Sequence, residues 1–269
     1  MEQPLPAERH RKIIEIVRER QAVRVSRLSE LLGVSEVTVR RDLEDLERRG
    51  LLERTHGGAI STRRLGAEPA YLEATRRSAP EKVSIGRAAA ELVHAGDTVF
   101  LNGGTTTLQV FRHLQGPGIC VITNHVGIAS EAFDRDIELV VIGGEYRPPS
   151  NSCVGSFATQ TLRRVFASRS LIGVEGLSIR SGLTTPAAPE AEIARLMIEQ
   201  TQGPVIVVAD SSKVGTIADF SIAPIDAITM LVTDEGLDEG FREELRAVGV
   251  DVVIAERTPV RAGASRGEG

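Results

Sequence analysis

The chain has 269 residues, of which 41% are hydrophobic and 3% aromatic, and its formal net charge at pH 7 is −5. No apolar run approaches the ~18 residues needed to span a bilayer, and the first dozen residues lack the apolar segment of a secretion signal, so we expect a cytoplasmic protein without membrane contact. The two cysteines, Cys120 and Cys153, form no CxxC motif, so we expect neither a metal site nor a cofactor.

The charge is unevenly divided along the chain. Residues 1–64 contain 14 Lys and Arg against 11 Asp and Glu, so the remaining 205 residues carry a net charge of −8. A small basic segment joined to a larger acidic one indicates that the first segment alone binds an anionic polymer.

Three short helices are predicted at the start of the chain. Apolar residues at helical spacing indicate a helix over residues 7–20. Ser26 is expected to cap a second helix that ends at Gly33. Ser35 is expected to cap a third helix that ends at Gly50.

A small β-hairpin is predicted after the third helix. Its two strands flank a glycine-containing turn at residues 56–58. Three helices with a tight turn between the second and third, followed by a hairpin, are typical of a small α+β winged helix-turn-helix domain. We place this domain at residues 1–60.

The third helix has one apolar stripe and one basic face. Val39, Leu43 and Leu46 recur at helical spacing and predict the buried stripe. On the other side, Val37 suits contact with a thymine methyl group, and Arg41 suits a guanine edge. The residues predicted to contact DNA bases or phosphates, on this face and at the hairpin turn, are Ser35, Val37, Thr38, Arg40, Arg41, Arg48, His56 and Gly57.

A second interpretation of the third helix needs no DNA. Its charged residues could pair with each other on a solvated surface, for example Glu44 with Arg48 at i, i+4. The residues of the helix alone do not decide between the two interpretations.

The composition changes after the hairpin. Residues 61–82 are polar, charged and interrupted by Pro69 and Pro80, and we predict a linker there. Over residues 83–256, apolar strand-like segments alternate with amphipathic helical ones, which indicates an α/β domain with a mainly parallel sheet covered on both faces. Residues 257–269 show no periodicity and are predicted to be disordered.

The predicted strand ends are rich in Gly, Thr and Asn. Ligands of open parallel sheets bind beyond the carboxyl ends of the strands. Asn102 is followed by two glycines and three threonines at a helix N-terminus, whose amide and hydroxyl groups can hold a phosphate. Neither a Walker motif nor a Rossmann fingerprint occurs. The residues predicted to bind a small-molecule effector are Asn102, Gly103, Gly104, Thr105, Thr106, Thr107, Thr123, Asn124, Arg147, Glu175 and Lys213.

Both parts of the chain resemble the DeoR family of bacterial transcriptional regulators. The N-terminal resemblance rests on Arg11, Ile14, Val34, Ser35, residues 38–43, Leu46, Gly50, Leu51, Arg54 and residues 56–59. The C-terminal resemblance rests on residues 97–107, Thr123, Asn124, Gly143, Gly144, Arg147, Gly155, residues 182–184, Glu190, Ser212 and Lys213. The resemblance therefore extends over nearly the whole chain except its two ends.

The resemblance implies a DNA-binding regulator, most often a repressor, of a carbohydrate-metabolism operon. It also implies that residues 83–256 form an effector-sensing domain similar in fold to ribose-5-phosphate isomerase. A phosphorylated sugar or polyol bound there would modulate binding to double-stranded operator DNA. Because a single helix-turn-helix contacts few bases, we expect a homo-oligomer, either a dimer or a tetramer.

Two departures from the family pattern concern the ligand. The family often has Asp where this chain has Glu175, and it often has Asn and Lys where this chain has Ala187 and Ala194. The first change lengthens an acidic side chain, and the second removes an amide and an ammonium group. These differences predict an effector that is unusual for the family.

Two other functions are compatible with parts of the sequence. A sugar-phosphate isomerase fused to a DNA-binding module could use Glu175, Glu190 and Lys213 as acid–base groups. A sensor needs only hydrogen bonds, however, and an enzyme would consume its own signal, so we expect no catalytic residues. A purely structural DNA-binding protein would leave the large acidic domain unexplained.

Overall fold

The computed structural model of the chain describes residues 5–20, 22–49, 51–55, 57–60, 63–64, 68 and 70–257. None of the helices within these ranges has the length and apolar character required to cross a membrane. A small helical domain comes first in the chain and a larger α/β domain follows it.

The N-terminal domain is a winged helix-turn-helix, as the sequence predicts. Its elements are α1 (Pro6–Arg20), β1 (Ala22–Arg24), α2 (Val25–Leu32), α3 (Glu36–Arg48), β2 (Glu53–Thr55) and β3 (Gly58–Ile60). The three strands form an antiparallel sheet in the order β1–β3–β2, and β2 with β3 is the wing. Ile13 of α1, Leu28 of α2 and Leu43 of α3 are fully buried in a common core.

The helix ends follow the predicted caps in two cases. The Ser35 hydroxyl accepts a hydrogen bond from the amide three residues on, at 3.2 Å, and so caps α3. Gly33 ends α2 in the left-handed conformation, with φ of 65°. The predicted cap at Ser26 is wrong, because Arg24 ends β1 by pairing with β3 and α2 begins directly after it. Gly50 lies outside the described residues, and α3 ends before it.

Asp42 joins α3 to α1. Its carboxylate accepts a hydrogen bond of 2.9 Å from the Arg9 guanidinium and lies 3.0 Å from Nε2 of His10. Burial opposes ionisation of Asp42, but the hydrogen bonds from Arg9 and His10 outweigh it and lower the pKa of this carboxyl. Asp42 therefore stabilises the packing of the two helices and does not face solvent with the basic residues around it.

The segment predicted as a linker, residues 61–82, contains regular structure. It includes β4 (Arg63–Arg64), α4 (Tyr71–Arg76) and the first residues of α5 (Ala79–Ala90). The predicted domain boundaries stay predictions. Of the tail predicted to be disordered, residues 257–269, all but Arg257 lie outside the described residues.

The second domain alternates strands and helices as predicted. Its further elements are β5 (Thr98–Leu101), α6 (Thr105–His113), β6 (Cys120–Thr123), α7 (Val126–Ala129), β7 (Glu138–Val141), β8 (Glu145–Arg147), β9 (Ser152–Val154), α8 (Ser156–Leu162), β10 (Arg169–Gly173), β11 (Gly176–Ser178), β12 (Gly182–Thr185), α9 (Ala188–Glu199), β13 (Val205–Val208), β14 (Thr216–Ile217), β15 (Phe220–Ala223), β16 (Met230–Asp234), α10 (Glu239–Ala247) and β17 (Asp251–Ala255). Smaller pairings surround the main sheet: β11–β12–β15 and β8–β9 are antiparallel, and β4 pairs parallel with β14.

A seven-stranded parallel sheet forms the centre of this domain. Its strand order is β17-β16-β13-β10-β5-β6-β7. The chain winds outward from β5 to β7, then returns to β10 beside β5 and winds outward in the other direction. The direction of winding thus reverses between β5 and β10. Such a reversal opens a crevice at the carboxyl ends of the two strands.

Helices cover both faces of the sheet. Val99 and Leu101 of β5 pack on one face with residues of α5 and α6, while Phe100 packs on the other face with residues of α8, α9 and α10. Successive side chains of a strand point to opposite faces, so a sheet covered on both sides needs strands that are apolar throughout. This requirement explains the continuous apolar strands in the sequence.

We expect Asp42→Asn to lower the free energy of unfolding by about 3 kcal/mol at pH 7, because it removes the buried carboxylate that Arg9 and His10 both contact. Since folding lowers the pKa of Asp42, its contribution is present above the pKa of the unfolded state and is lost as the pH falls through the folded pKa. Urea denaturation at pH 7 and in acid measures both effects. Asp45→Asn, a half-exposed site on the same helix, is the control, and equal losses in the two variants would contradict the assignment.

Candidate functional site

The predicted DNA-contacting residues of α3 lie on one accessible face, which we call the recognition face. It consists of Ser35, Val37, Thr38, Arg40, Arg41 and Arg48. Val37 is 66% exposed although its side chain is apolar. An exposed valine beside arginines near a helix N-terminus matches the surface of a helix that enters a DNA groove.

The arginines of the recognition face are weakly held. Arg40 lies 3.5 Å from Glu36, and Arg48 lies 3.2 Å from Asp45. Arg41 makes no hydrogen bond or ion pair with any residue that the structure describes. Exposed pairs of this kind contribute about 0–1 kcal/mol, so DNA phosphates can replace the carboxylates at little cost.

The example pair of the solvated-face interpretation, Glu44 with Arg48, does not form, although other charged residues of α3 do pair within the helix. Glu44 bonds Arg54 of β2 at 3.1 Å rather than Arg48, and so ties the wing to α3. Gly57, in the wing turn, is exposed. The predicted contact at His56 lies outside the described residues.

A cavity of about 560 Å³ lies at the carboxyl ends of β5 and β10, where the winding of the sheet reverses. Its volume falls within the range of about 300–1,000 Å³ that is usual for small-molecule sites. The predicted effector residues that line this cavity are Asn102, Gly103, Gly104, Thr105, Thr106, Asn124, Glu175 and Lys213.

The other three predicted effector residues do not line the cavity. Thr107 is fully buried and donates a hydrogen bond of 2.8 Å to the carbonyl of Asn102. Thr123 is also fully buried, and its hydroxyl accepts a hydrogen bond from the amide two residues on. Arg147 pairs with Glu190 at 2.7 Å and with Glu68. The side chains of these three residues are therefore engaged within the protein.

Asn102 and Asn124 line the cavity but are also engaged internally. Asn102 donates to the carbonyl of Gly173 at 2.9 Å and accepts from the Gly173 amide at 2.8 Å, which ties the end of β5 to the end of β10. Asn124 accepts from the Gly103 amide at 2.9 Å and donates to the Cys153 carbonyl at 2.8 Å. These side chains therefore shape the loop after β5.

The start of α6 borders the cavity. The helix begins at Thr105 without a side-chain cap, and Gly104 precedes it with φ of 155°, which favours glycine. The first amides of a helix have no partner within the helix. Thr105 and Thr106 both line the cavity, so this helix end can bind an anion there.

The sequence analysis missed a group of cavity residues from the segment predicted as a linker. They are Glu68, Tyr71, Ala74, Arg77, Ser78 and Lys82. Lys82 is 5% exposed and donates a hydrogen bond of 2.6 Å to the carbonyl of Ala74 in α4. Burial lowers the pKa of Lys82, and the nearby Asp210 carboxylate opposes this change. The polar, proline-interrupted pattern of this segment carried no signal of burial.

Several carboxylates of the cavity wall are paired with cations. Glu175 pairs with Lys213, and Glu190 with Arg147. Burial raises the pKa of Glu190, although hydrogen bonding and the charge of Arg147 oppose the change. Among the described residues, no group of three or more His, Cys, Asp or Glu is placed to hold a metal ion. The cavity thus offers hydrogen-bond acceptors for hydroxyl groups and cations for an anionic group.

Tyr71 anchors α4 beside the cavity. Its hydroxyl lies 2.9 Å from Nε2 of His125. His125 is fully buried, and burial lowers its pKa to about 4. The imidazole is therefore neutral near pH 7, and it serves as a fixed hydrogen-bond partner for the tyrosine.

Two family models match the chain. The model described as the DeoR-like helix-turn-helix domain matches residues 9–64. The model described as the DeoR C terminal sensor domain matches residues 77–235. The first match contains the recognition face, and the second contains most of the cavity.

Relatives that match over nearly their whole length are named as transcriptional regulators or repressors. The transcriptional regulator GlpR of Haloferax volcanii is 38% identical over 93% of this chain and 98% of its own length. The repressor GlcR of Bacillus subtilis is 32% identical over 91% and 95%, and the repressor AccR of Agrobacterium fabrum is 33% identical over 89% and 95%. The similarity therefore spans both domains together.

Solved structures resemble the chain loosely. Ribose 5-phosphate isomerase A from Methanocaldococcus jannaschii superposes with a TM-score of 0.36 and 15% identity over 51% of this chain and 55% of that one. Translation initiation factor eIF-2B from Pyrococcus horikoshii gives a TM-score of 0.39 and 15% identity over 60% and 64%. Similarity at this level assigns no residue roles.

Asn102→Ala should lower the free energy of unfolding by about 1–3 kcal/mol, because it removes the two hydrogen bonds between the buried Asn102 side chain and the partly buried backbone of Gly173. Thr105→Ala, at a partly buried position at the start of α6, is the matched control and should cost about 0.5 kcal/mol or less. Urea denaturation of both variants without any ligand makes the comparison. If Asn102→Ala were as stable as the control, Asn102 would not be the tie between β5 and β10.

Proposed function

Because the chain belongs to the DeoR family of DNA-binding transcriptional regulators, we propose that it represses a carbohydrate-metabolism operon in response to a phosphorylated sugar or polyol. The relatives named as repressors support the direction of regulation. The family matches are to regulators, and the isomerase alternative is therefore set aside.

We infer that the recognition face reads operator DNA from the major groove. Phosphate contacts by Ser35, Thr38 and Arg40 would position α3, and Val37 and Arg41 would contact base edges. One such helix reads few base pairs, so useful specificity requires two half-sites and a homo-oligomer, a dimer or a tetramer. The observation that carries this inference is the exposed, weakly paired set of arginines beside Val37.

Arg41→Ala should weaken specific binding to operator DNA by about 1–3 kcal/mol if its guanidinium bonds a guanine edge. Arg164→Ala removes the same charge from an exposed site of the second domain and is the control. Gel-shift titrations on DNA from the promoter of the chain's own gene, at several salt concentrations, compare the two. Equal affinities of the two variants and the wild type would return Arg41 to the solvated-face interpretation.

We infer that the cavity at the carboxyl ends of β5 and β10 binds the effector. The amides at the start of α6 and the ammonium groups of Lys82 and Lys213 would hold a phosphate. Glu175 and Glu190 would accept hydrogen bonds from sugar hydroxyls. This inference rests on one observation: the uncapped N-terminus of α6, two lysines and several carboxylates line the same cavity.

A phosphorylated ligand should bind at least tenfold more tightly than its dephosphorylated counterpart, because charge-assisted hydrogen bonds contribute about 1.5–3 kcal/mol each. Calorimetry with matched pairs, such as glucose 6-phosphate with glucose and glycerol 3-phosphate with glycerol, measures the difference. For the phosphate that binds, Thr106→Ala, Lys82→Met and Lys213→Ala should each weaken binding, and Arg164→Ala should not. If both members of every pair bound alike and no variant mattered, the effector would bind elsewhere.

A further inference from the structure

The wing is docked on the second domain through a buried carboxylate. Glu53 of β2 is 6% exposed, and its Oε1 accepts a hydrogen bond of 3.2 Å from the backbone amide of Arg180. The Ser178 hydroxyl and the Ile179 amide also face this carboxylate. All three partners lie at the end of β11 and in the turn that follows it, so this tip of the β11–β12 hairpin contacts the wing.

A second contact lies two residues along the same strand. Thr55 shares a face of β2 with Glu53, since side chains alternate along a strand. It packs against Gly240 near the start of α10, where a Cβ built on Gly240 would lie 3.4 Å from the Cβ of Thr55. Two adjacent inward positions of β2 are therefore covered by the second domain.

The surface next to the docked wing is acidic. Residues 234–244 contain six Asp and Glu against one Arg, and Glu235, Glu239 and Glu243 among them are exposed. DNA carries one negative charge per ~1.7 Å of its axis, so it is repelled by such a surface. Gly240, which contacts Thr55 of the wing, lies within this acidic segment, so the segment is next to the docked wing.

The docking contact is of a kind that can be released. No Lys or Arg side chain among the described residues pairs with the Glu53 carboxylate, which is held by neutral donors alone. Burial raises the pKa of Glu53, the neighbouring Glu47 adds to this effect, and the hydrogen bonds from the turn oppose it. Burial removes water from this carboxylate without providing a cation, which costs free energy. Release of the wing would restore the solvation of the carboxylate.

We propose that the docked wing is an autoinhibited arrangement, in which the turn between β11 and β12 and the start of α10 hold β2 beside the acidic segment and weaken operator binding. Release of β2 from this surface then moves the wing and α3 away from the acidic segment. The proposal rests on DNA binding by α3, and its test requires operator DNA but no effector.

The double variant Thr55→Cys, Gly240→Cys tests the proposal directly. The two Cβ atoms are close enough for a disulfide after a shift of a few tenths of an ångström. We expect the oxidised protein to bind its operator at least tenfold more weakly than the same protein after reduction. Thr55→Ser, Gly240→Ser is the matched control and should respond to neither oxidant nor reductant.

Three outcomes would overturn the proposal. Equal operator binding by the oxidised and reduced forms would show that docking has no effect on DNA, and tighter binding by the oxidised form would show the opposite effect. Failure of the folded double variant to form the disulfide under oxidation would contradict docking in solution. Failure of the proposed DNA contact by α3 is distinguishable from failure of the autoinhibition proposal. In the first case, Arg41→Ala would bind DNA like the wild type.

Glu53→Gln offers a second test, because docking and simple electrostatics predict opposite changes in operator affinity for this variant. The amide oxygen still accepts hydrogen bonds from the turn, and a neutral amide loses less solvation on burial than a carboxylate. Docking should therefore tighten, and operator binding should weaken several-fold. Loss of one negative charge alone would strengthen DNA binding instead. Glu30→Gln removes an exposed charge from the same domain and measures that charge effect. If Glu53→Gln strengthened operator binding as Glu30→Gln does, the proposal would be wrong.

Discussion

The reversal of winding between β5 and β10 is the constraint on which the second domain depends. Two neighbouring parallel strands whose following segments leave in opposite directions cannot close the space at their carboxyl ends. The side chain of Asn102 bridges that space with paired hydrogen bonds to Gly173. The loop after β5 is thereby fixed, and α6 begins beside the cavity. The cavity and the helix N-terminus beside it are consequences of this one topological feature.

Much of the fold could be predicted because its signals are local. The cap at Ser35, the left-handed Gly33 and the hairpin turn need only a few neighbouring residues. The parallel sheet follows from apolar strands that alternate with amphipathic helices, and most of the glycine- and threonine-rich strand ends predicted from the sequence line the cavity. Ser26 failed as a cap because β1 pairs with a strand more than thirty residues later. A local pattern cannot report such a pairing.

The residues that the sequence did not reveal are placed by contacts distant along the chain. Lys82 and Glu68 lie in a polar segment broken by prolines, and the bonds of Lys82 to Ala74 and of Glu68 to Arg147 hold them beside the cavity. Arg147 was recognised, but its two carboxylate partners are 79 and 43 residues away. In the sequence, Glu53 is an ordinary polar residue of the wing, and only the structure shows that the turn at Arg180 covers it. In each case the sequence shows which functional group is present, and the tertiary contact determines which partner that group binds.

The β11–β12 hairpin gives the two sites a shared element. Glu175 precedes β11 and Thr185 ends β12, and both line the cavity, whereas the opposite end of the hairpin holds Glu53. Strands of three to four residues span roughly 10–13 Å. Because Glu175 is already paired with Lys213, an anionic ligand that engages this lysine must compete with the carboxylate. A ligand can shift a conformational equilibrium only by the difference in its affinity for the two states. An exchange of ion pairs at the base of a hairpin whose tip holds the wing is a physical source of such a difference.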